Sequence, residues 1–185
     1  FFFFFKLKNV MQESYKILDW DTNFFQYKVA EITKDILSAI PDIENILQSL
    51  SDEKVKLAYY TSNTELDTNL SSDYQIDLII NRVPLEKKVI KEFSFHKNIN
   101  LYTENYPDPS LIELAQLAGR QGRFGLDPKI SSEECDGIFK NWIINSVNKK
   151  MASHTLVYRE ESEIVGFATI DIRDGKGYTP LFAVK

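Results

Sequence analysis

The sequence predicts a mixed α/β protein, with helices packed on a mixed sheet. Three observations lead there. A helical stripe at 43–50 is followed by strand patterns over 56–61 and 74–83. Two helical patterns follow in series, over 109–119 and 131–147. The last thirty or so residues then alternate as strands joined by turn residues.

Taken in order, Trp20-Asp21 opens a turn, and Phe24, Phe25, Tyr27, Val29 and Ile32 make a β-rich apolar stretch within 15–33. Pro41-Asp42 starts a helix with Ile43, Ile46, Leu47 and Leu50 on one stripe. Strands are expected at 56–61 and 74–83, and shorter ones at 91–95 and 99–102. Asp108-Pro109 supplies an N-cap and a first helical residue, because proline lacks the N–H that would be orphaned there. Leu111, Ile112, Leu114, Ala115, Leu117 and Ala118 are expected to line that helix, and Gly119 or Gly122 ends it. Ser131-x-x-Glu134 is a capping box for the next helix, whose buried stripe is Ile138, Phe139, Trp142, Ile143 and Val147. Strands follow at 154–160 and 164–173, the second with Ile164, Gly166, Ala168, Ile170 and Ile172 on one face and Thr169, Asp171 and Arg173 on the other. Asp174-Gly175-Lys176-Gly177 is a hairpin loop. Pro180 interrupts the last strand, 178–185, and marks a bulge or an edge.

These elements divide into an N-terminal α/β domain, 11–98, and a second domain, 99–185. Residues 1–10 are set aside as read-through or added sequence, since Met11 stands just ahead of the first patterned segment. The formal net charge of −5, with no Lys/Arg cluster, argues against nucleic acid. No apolar run approaches the ~20 residues of a membrane helix. Cys135 is the single cysteine, which excludes an internal disulfide and fits a cytoplasmic compartment. His96 and His154 have no partners at ligand spacing, so no metal is expected.

Two helices followed by strands, with Glu163-Ile164-Val165-Gly166-Phe167 ahead of a hairpin and Leu181-Phe182-Ala183-Val184 after it, resemble the GNAT superfamily of N-acetyltransferases. The pieces Leu18–Phe25, Leu117-Ala118, Gly122-Arg123-Phe124 with Asp127, and Phe139–Ser146 narrow the resemblance to the dTDP-fucosamine acetyltransferase group. The resemblance implies a GNAT acyl-CoA N-acyltransferase fold, incomplete at its C-terminal side, preceded by the small α/β domain. It implies transfer of acetyl from acetyl-CoA to an amine, such as that of a nucleotide-linked amino-deoxy sugar destined for surface polysaccharide. Leu181, Phe182, Ala183 and Val184 would lie along the pantetheine arm, one backbone N–H stabilising the developing oxyanion. Arg123 would pair a nucleotide phosphate, the alternative being a surface salt bridge. Trp20, Asp21, Asn23 and Phe25 either set the fold or line the acceptor cleft; Asn23 and Phe25, with Asn145, are the remaining candidate substrate contacts.

The resemblance places the general acid and the pyrophosphate loop beyond Lys185, so the 185 residues by themselves are expected to be inactive. Gly122 replaces the serine that usually precedes the Arg-Phe pair, which removes any role for that hydroxyl. Other readings stay open: a different amine acceptor, a non-catalytic acyl-CoA-binding or interaction domain, a plain scaffold, and assembly as a homodimer.

Overall fold

The computed structural model describes residues 14–33, 40–63, 76–89 and 96–185, with the side chains of 40–42 excepted. The expected strand at 91–95 and the segment 1–10 lie outside them. Among the described residues no helix is long and apolar enough to cross a membrane. The chain is mixed α/β and forms two compact units, Phe1–Leu78 and Ile79–Lys185.

The first unit carries β1 (Tyr15–Ile17), α1 (Asp19–Phe25), β2 (Lys28–Ile32), α2 (Ile40–Asp52) and β3 (Val55–Tyr59). Its sheet runs β1-β2-β3, the first pair antiparallel and the second parallel. A parallel pair needs a crossover, and α2 supplies it. Ile43, Ile46 and Leu50 of α2 pack against Tyr15, Ala30 and Ile32 as the core, in keeping with the stripe read from the sequence. The Tyr15 hydroxyl donates to Glu53 at 2.8 Å, and burial together with that carboxylate pushes its pKa to about 12.

The β-rich reading of 15–33 is corrected at its centre, where Asp19–Phe25 is helical. Asp19 and Asp21 sit in the first turn, where the helix dipole favours carboxylates. Trp20 and Phe24, one turn apart, stack with ring centroids 5.4 Å apart. Gln26, left-handed at φ 59°, closes the helix and releases the chain into β2. The run 76–83 is also no strand: 76–89 has neither helix nor ladder, and Leu78 and Val83 stand exposed. Alternation makes a strand only where a neighbouring edge accepts its hydrogen bonds, and here none does.

The second unit contains β4 (Ile99–Leu101), α3 (Pro109–Arg120), α4 (Arg123–Leu126), α5 (Ser132–Val147), β5 (His154–Glu160), β6 (Glu163–Arg173), β7 (Lys176–Tyr178) and β8 (Phe182–Val184). Its five-stranded sheet runs β4-β5-β6-β7, with β8 also pairing β6, and all pairs are antiparallel. Both predicted caps form. Asp108 accepts from the Ser110 N–H at 2.9 Å, and Ser131 and Glu134 close the reciprocal box at 3.1 and 2.8 Å. Gly119 does not end α3 as expected; it lies in the last turn, where an added Cβ would come within 2.3 Å of the Phe139 ring. Its role is to let α5 approach. Gly122 is instead the residue that precedes α4.

α3 packs on β6 and β8, and α5 on α3 and β5. The cross-strand set Val157–Phe167–Ala183 and the neighbouring pair Thr155–Thr169 are buried. The opposite face, Leu101–Leu156–Ala168–Phe182 and Ile99–Tyr158–Gly166–Val184, is half-buried over most of its centre, buried at Gly166, and exposed at Leu101, Phe182 and Val184. At the centre of β6 the covered face is thus the one with Phe167 and Thr169; on the apolar one Ile164 and Gly166 are buried, Ala168 and Ile170 half-buried and Ile172 exposed.

Candidate functional site

The Asp174-Gly175 turn has φ of 50° and 74°, the signature of a two-residue type I′ hairpin. It sets the register Arg173↔Lys176, Ile172↔Gly177 and Asp171↔Tyr178. In a two-residue hairpin the residues flanking the loop exchange hydrogen bonds, and every second pair after them does so too. Continued unbroken, that register would set Thr169 against Pro180 as a bonded pair. Proline has no N–H to give. The strand therefore slips by one residue, and the pairs beyond are Ala168↔Phe182, Phe167↔Ala183 and Gly166↔Val184. Thr179 and Pro180 together oppose Ile170, which is a β-bulge.

Thr169 holds the slipped strand in place. Its N–H donates to the Leu181 carbonyl at 2.8 Å, and its Oγ1 accepts from the Leu181 N–H at 3.0 Å. The same hydroxyl lies 3.3 Å from the Leu181 carbonyl, to which it donates. The side chain stands in for the backbone carbonyl that an unbroken ladder would have offered. Thr169 is fully buried, at 0% exposure, so each of these bonds is made out of water.

Past the bulge, Leu181 bonds to Thr169, and the Lys185 N–H donates to the Val165 carbonyl at 2.9 Å. Since alternate residues of a strand turn their amides to opposite sides, Leu181, Ala183 and Lys185 face β6. Phe182 and Val184 turn theirs outward. Among the described residues β8 pairs only with β6, so this outer edge is open, and the two side chains are 68% and 70% exposed. Gly166 keeps β8 close: a Cβ there would meet Val184 Cγ1 at 2.7 Å.

The chain matches no protein-family model, and no curated protein matches it.

The four residues expected to line a pantetheine arm thus divide into two kinds. Leu181 and Ala183 have their backbone groups committed to β6, while Phe182 and Val184 present theirs. Arg123 opens α4, exposed, with its guanidinium carbon 4.5 Å from the centroid of the Phe124 ring. Phe124 packs edge-on against Phe139 and Trp142 beneath it. Asn145 is half-buried on α5, and its carbonyl accepts from the Lys150 N–H at 2.8 Å. In the first unit Asn23 is exposed, whereas Phe25 is buried between Phe24 and Tyr27. Cys135 is buried, and burial pushes its thiol pKa up, away from a nucleophilic thiolate.

The sequence reading sets Thr169 on the face of β6 opposite the apolar one and gives it no role. The signal was there. Counting back from the Asp-Gly turn sets it against Pro180, where a side-chain acceptor is what the displaced Leu181 N–H requires.

Proposed function

We propose that the second unit is the acyl-CoA-binding part of a GNAT-type N-acetyltransferase whose acceptor is the amine of a nucleotide-linked amino-deoxy sugar. The observation that supports this most is the open outer edge of β8, where the bulge at Pro180 sets which amides turn outward. A strand edge with alternate amides outward can pair an extended amide-bearing chain by main-chain hydrogen bonds. Acetyl-CoA would supply such a chain and an acyl group activated as a thioester. The acyl group passes from sulfur to nitrogen, so a C–N bond forms as the C–S bond breaks; the amine loses a proton and the thiolate gains one.

This chain's residues would act by placement. The outward Phe182 and Val184 amides hold the cofactor arm, and one N–H is aimed at the thioester oxygen, where charge develops. Thr169 keeps them there by pinning Leu181. Arg123, on its exposed turn, would answer a phosphate of the acceptor.

Val184→Pro tests the edge directly. It deletes an outward N–H while leaving the ladder bonds to β6 intact. By isothermal titration, acetyl-CoA should bind the parent chain, and the variant should bind about tenfold more weakly, near the loss expected for one hydrogen bond. Amide exchange at Phe182 and Val184 should slow when acetyl-CoA is present. Absence of binding heat together with unchanged exchange at both amides would reject the reading.

A further inference from the structure

We propose that a second site, on the far end of β6, binds the phosphate of a small phosphorylated ligand. It is a cavity of about 270 Å³ between the loop after α5 and the end of β6, lined by Lys149, Lys150, Met151, Ser153, Asp171 and Arg173. Three cationic residues and a single acidic one line it, in a chain whose net charge is −5. A concentration of positive charge against the sign of the whole protein marks a place where an anion is attracted.

The charges are not used up by the fold. Asp171 is answered locally: the Arg173 Nε–H is in close contact with Oδ2, and Ser153 Oγ and the Ile172 N–H donate to Oδ1 at 3.3 and 3.1 Å. These partners, Arg173 first, hold its carboxyl below the ordinary carboxylate range. Arg173 spends one of its five donors on that pair and lies 5.8 Å from the Tyr178 ring centroid, which steadies the side chain. Its Nη groups are the donors that remain for an oxyanion.

The two lysines could be explained as caps for the C-terminus of α5, but the backbone already does that work. The Lys149 N–H donates to the Ser146 carbonyl at 3.0 Å, the Lys150 N–H to Asn145 at 2.8 Å, and Asn148 supplies both its N–H and its side-chain amide to Ile144. This is a Schellman motif with Lys149 in the left-handed position, φ 59°. No carboxylate among the described residues pairs with either lysine. Two lysines with no carboxylate partner and a half-committed arginine therefore line one cavity, together with Ser153 and the exposed Met151. That set suits a phosphate group carried on a less polar body.

The backbone at Lys149 provides a clean test, since glycine is at ease with positive φ. Lys149→Gly/Lys150→Ala removes both charges without disturbing the helix end. Lys87→Ala/Lys88→Ala, on the exposed 76–89 segment, makes the same change in net charge elsewhere. Titration calorimetry with inorganic pyrophosphate at fixed ionic strength should give saturable binding to the parent chain and the Lys87/Lys88 variant, and binding about tenfold or more weaker in the Lys149/Lys150 variant. A nucleoside diphosphate run in parallel separates the sources: tighter binding than pyrophosphate names a nucleotide, and equal binding names phosphate alone. The proposal fails if pyrophosphate shows no binding up to about 10 mM, or if both double variants bind alike. No acetyl-CoA enters the experiment, so its outcome is independent of the acyl-transfer reading.

Discussion

The two faces of the second unit's sheet are built from the same strands, yet they live in different environments. One face places Val157, Phe167, Thr169 and Ala183 beneath α3 and α5, and all four are buried. The other carries Leu101, Ile172, Phe182 and Val184, which are more apolar as a set and are all exposed. Burial here follows where the helices lie and not which residues are greasiest. A threonine is sealed on one side while a phenylalanine is bare on the other. The covered face holds the unit together; the open face and its β8 edge are where another molecule can be met.

Substitutions on the two faces should separate accordingly. Denaturation followed through Trp142, in a Trp20→Phe background, reports on the second unit alone. The largest effect is expected at Leu111→Ala, because Leu111 has no exposed surface and lies on the helix that covers the sheet. A loss of about 2–5 kcal/mol should appear as a lower denaturation midpoint. A loss under about 1 kcal/mol would mean that the helix cover matters less than the contrast requires.

A middle-sized effect divides two neighbours on the covered face. Thr169→Val leaves the buried Leu181 N–H without its acceptor and should cost about 1–3 kcal/mol. The cross-strand partner Thr155 is equally buried, but its hydroxyl has no hydrogen-bond partner among the described residues. Thr155→Val should then be neutral or stabilising, since an unsatisfied polar atom is replaced by a methyl of similar size. Equal losses at both positions would show that the Thr169 clamp contributes nothing beyond packing. Smallest of all is Phe182→Ser on the open side, expected to change stability by no more than about 0.5 kcal/mol. A large loss there would mean that the face is covered after all.

Much of this architecture could be read before any coordinates. The caps at Asp108 and Ser131, the α2 stripe and the Asp-Gly hairpin depend on residues within a few positions of one another, and each formed where local chemistry placed it. The failures were of another kind. In Asp19–Phe25 the aromatic run read as strand, but stacking at helical spacing and two acids in the first turn favoured helix. The run 76–83 alternates correctly yet finds no edge to pair with. Of the four residues Leu181, Phe182, Ala183 and Val184, only two turn their amides outward, and that parity depends on the slipped register.

The sequence on its own determined the elements whose stabilising groups lie close along the chain: turn type, helix caps, the apolar stripe, and the impossibility of an unbroken ladder at Pro180. Tertiary structure alone decided which face of β6 is sealed and that Lys149, Lys150 and Arg173 line one cavity. The reason is physical. A capping bond or a type I′ turn is closed within a few residues, whereas the helix cover and the charge cluster bring together separate segments of the chain, which no local pattern encodes.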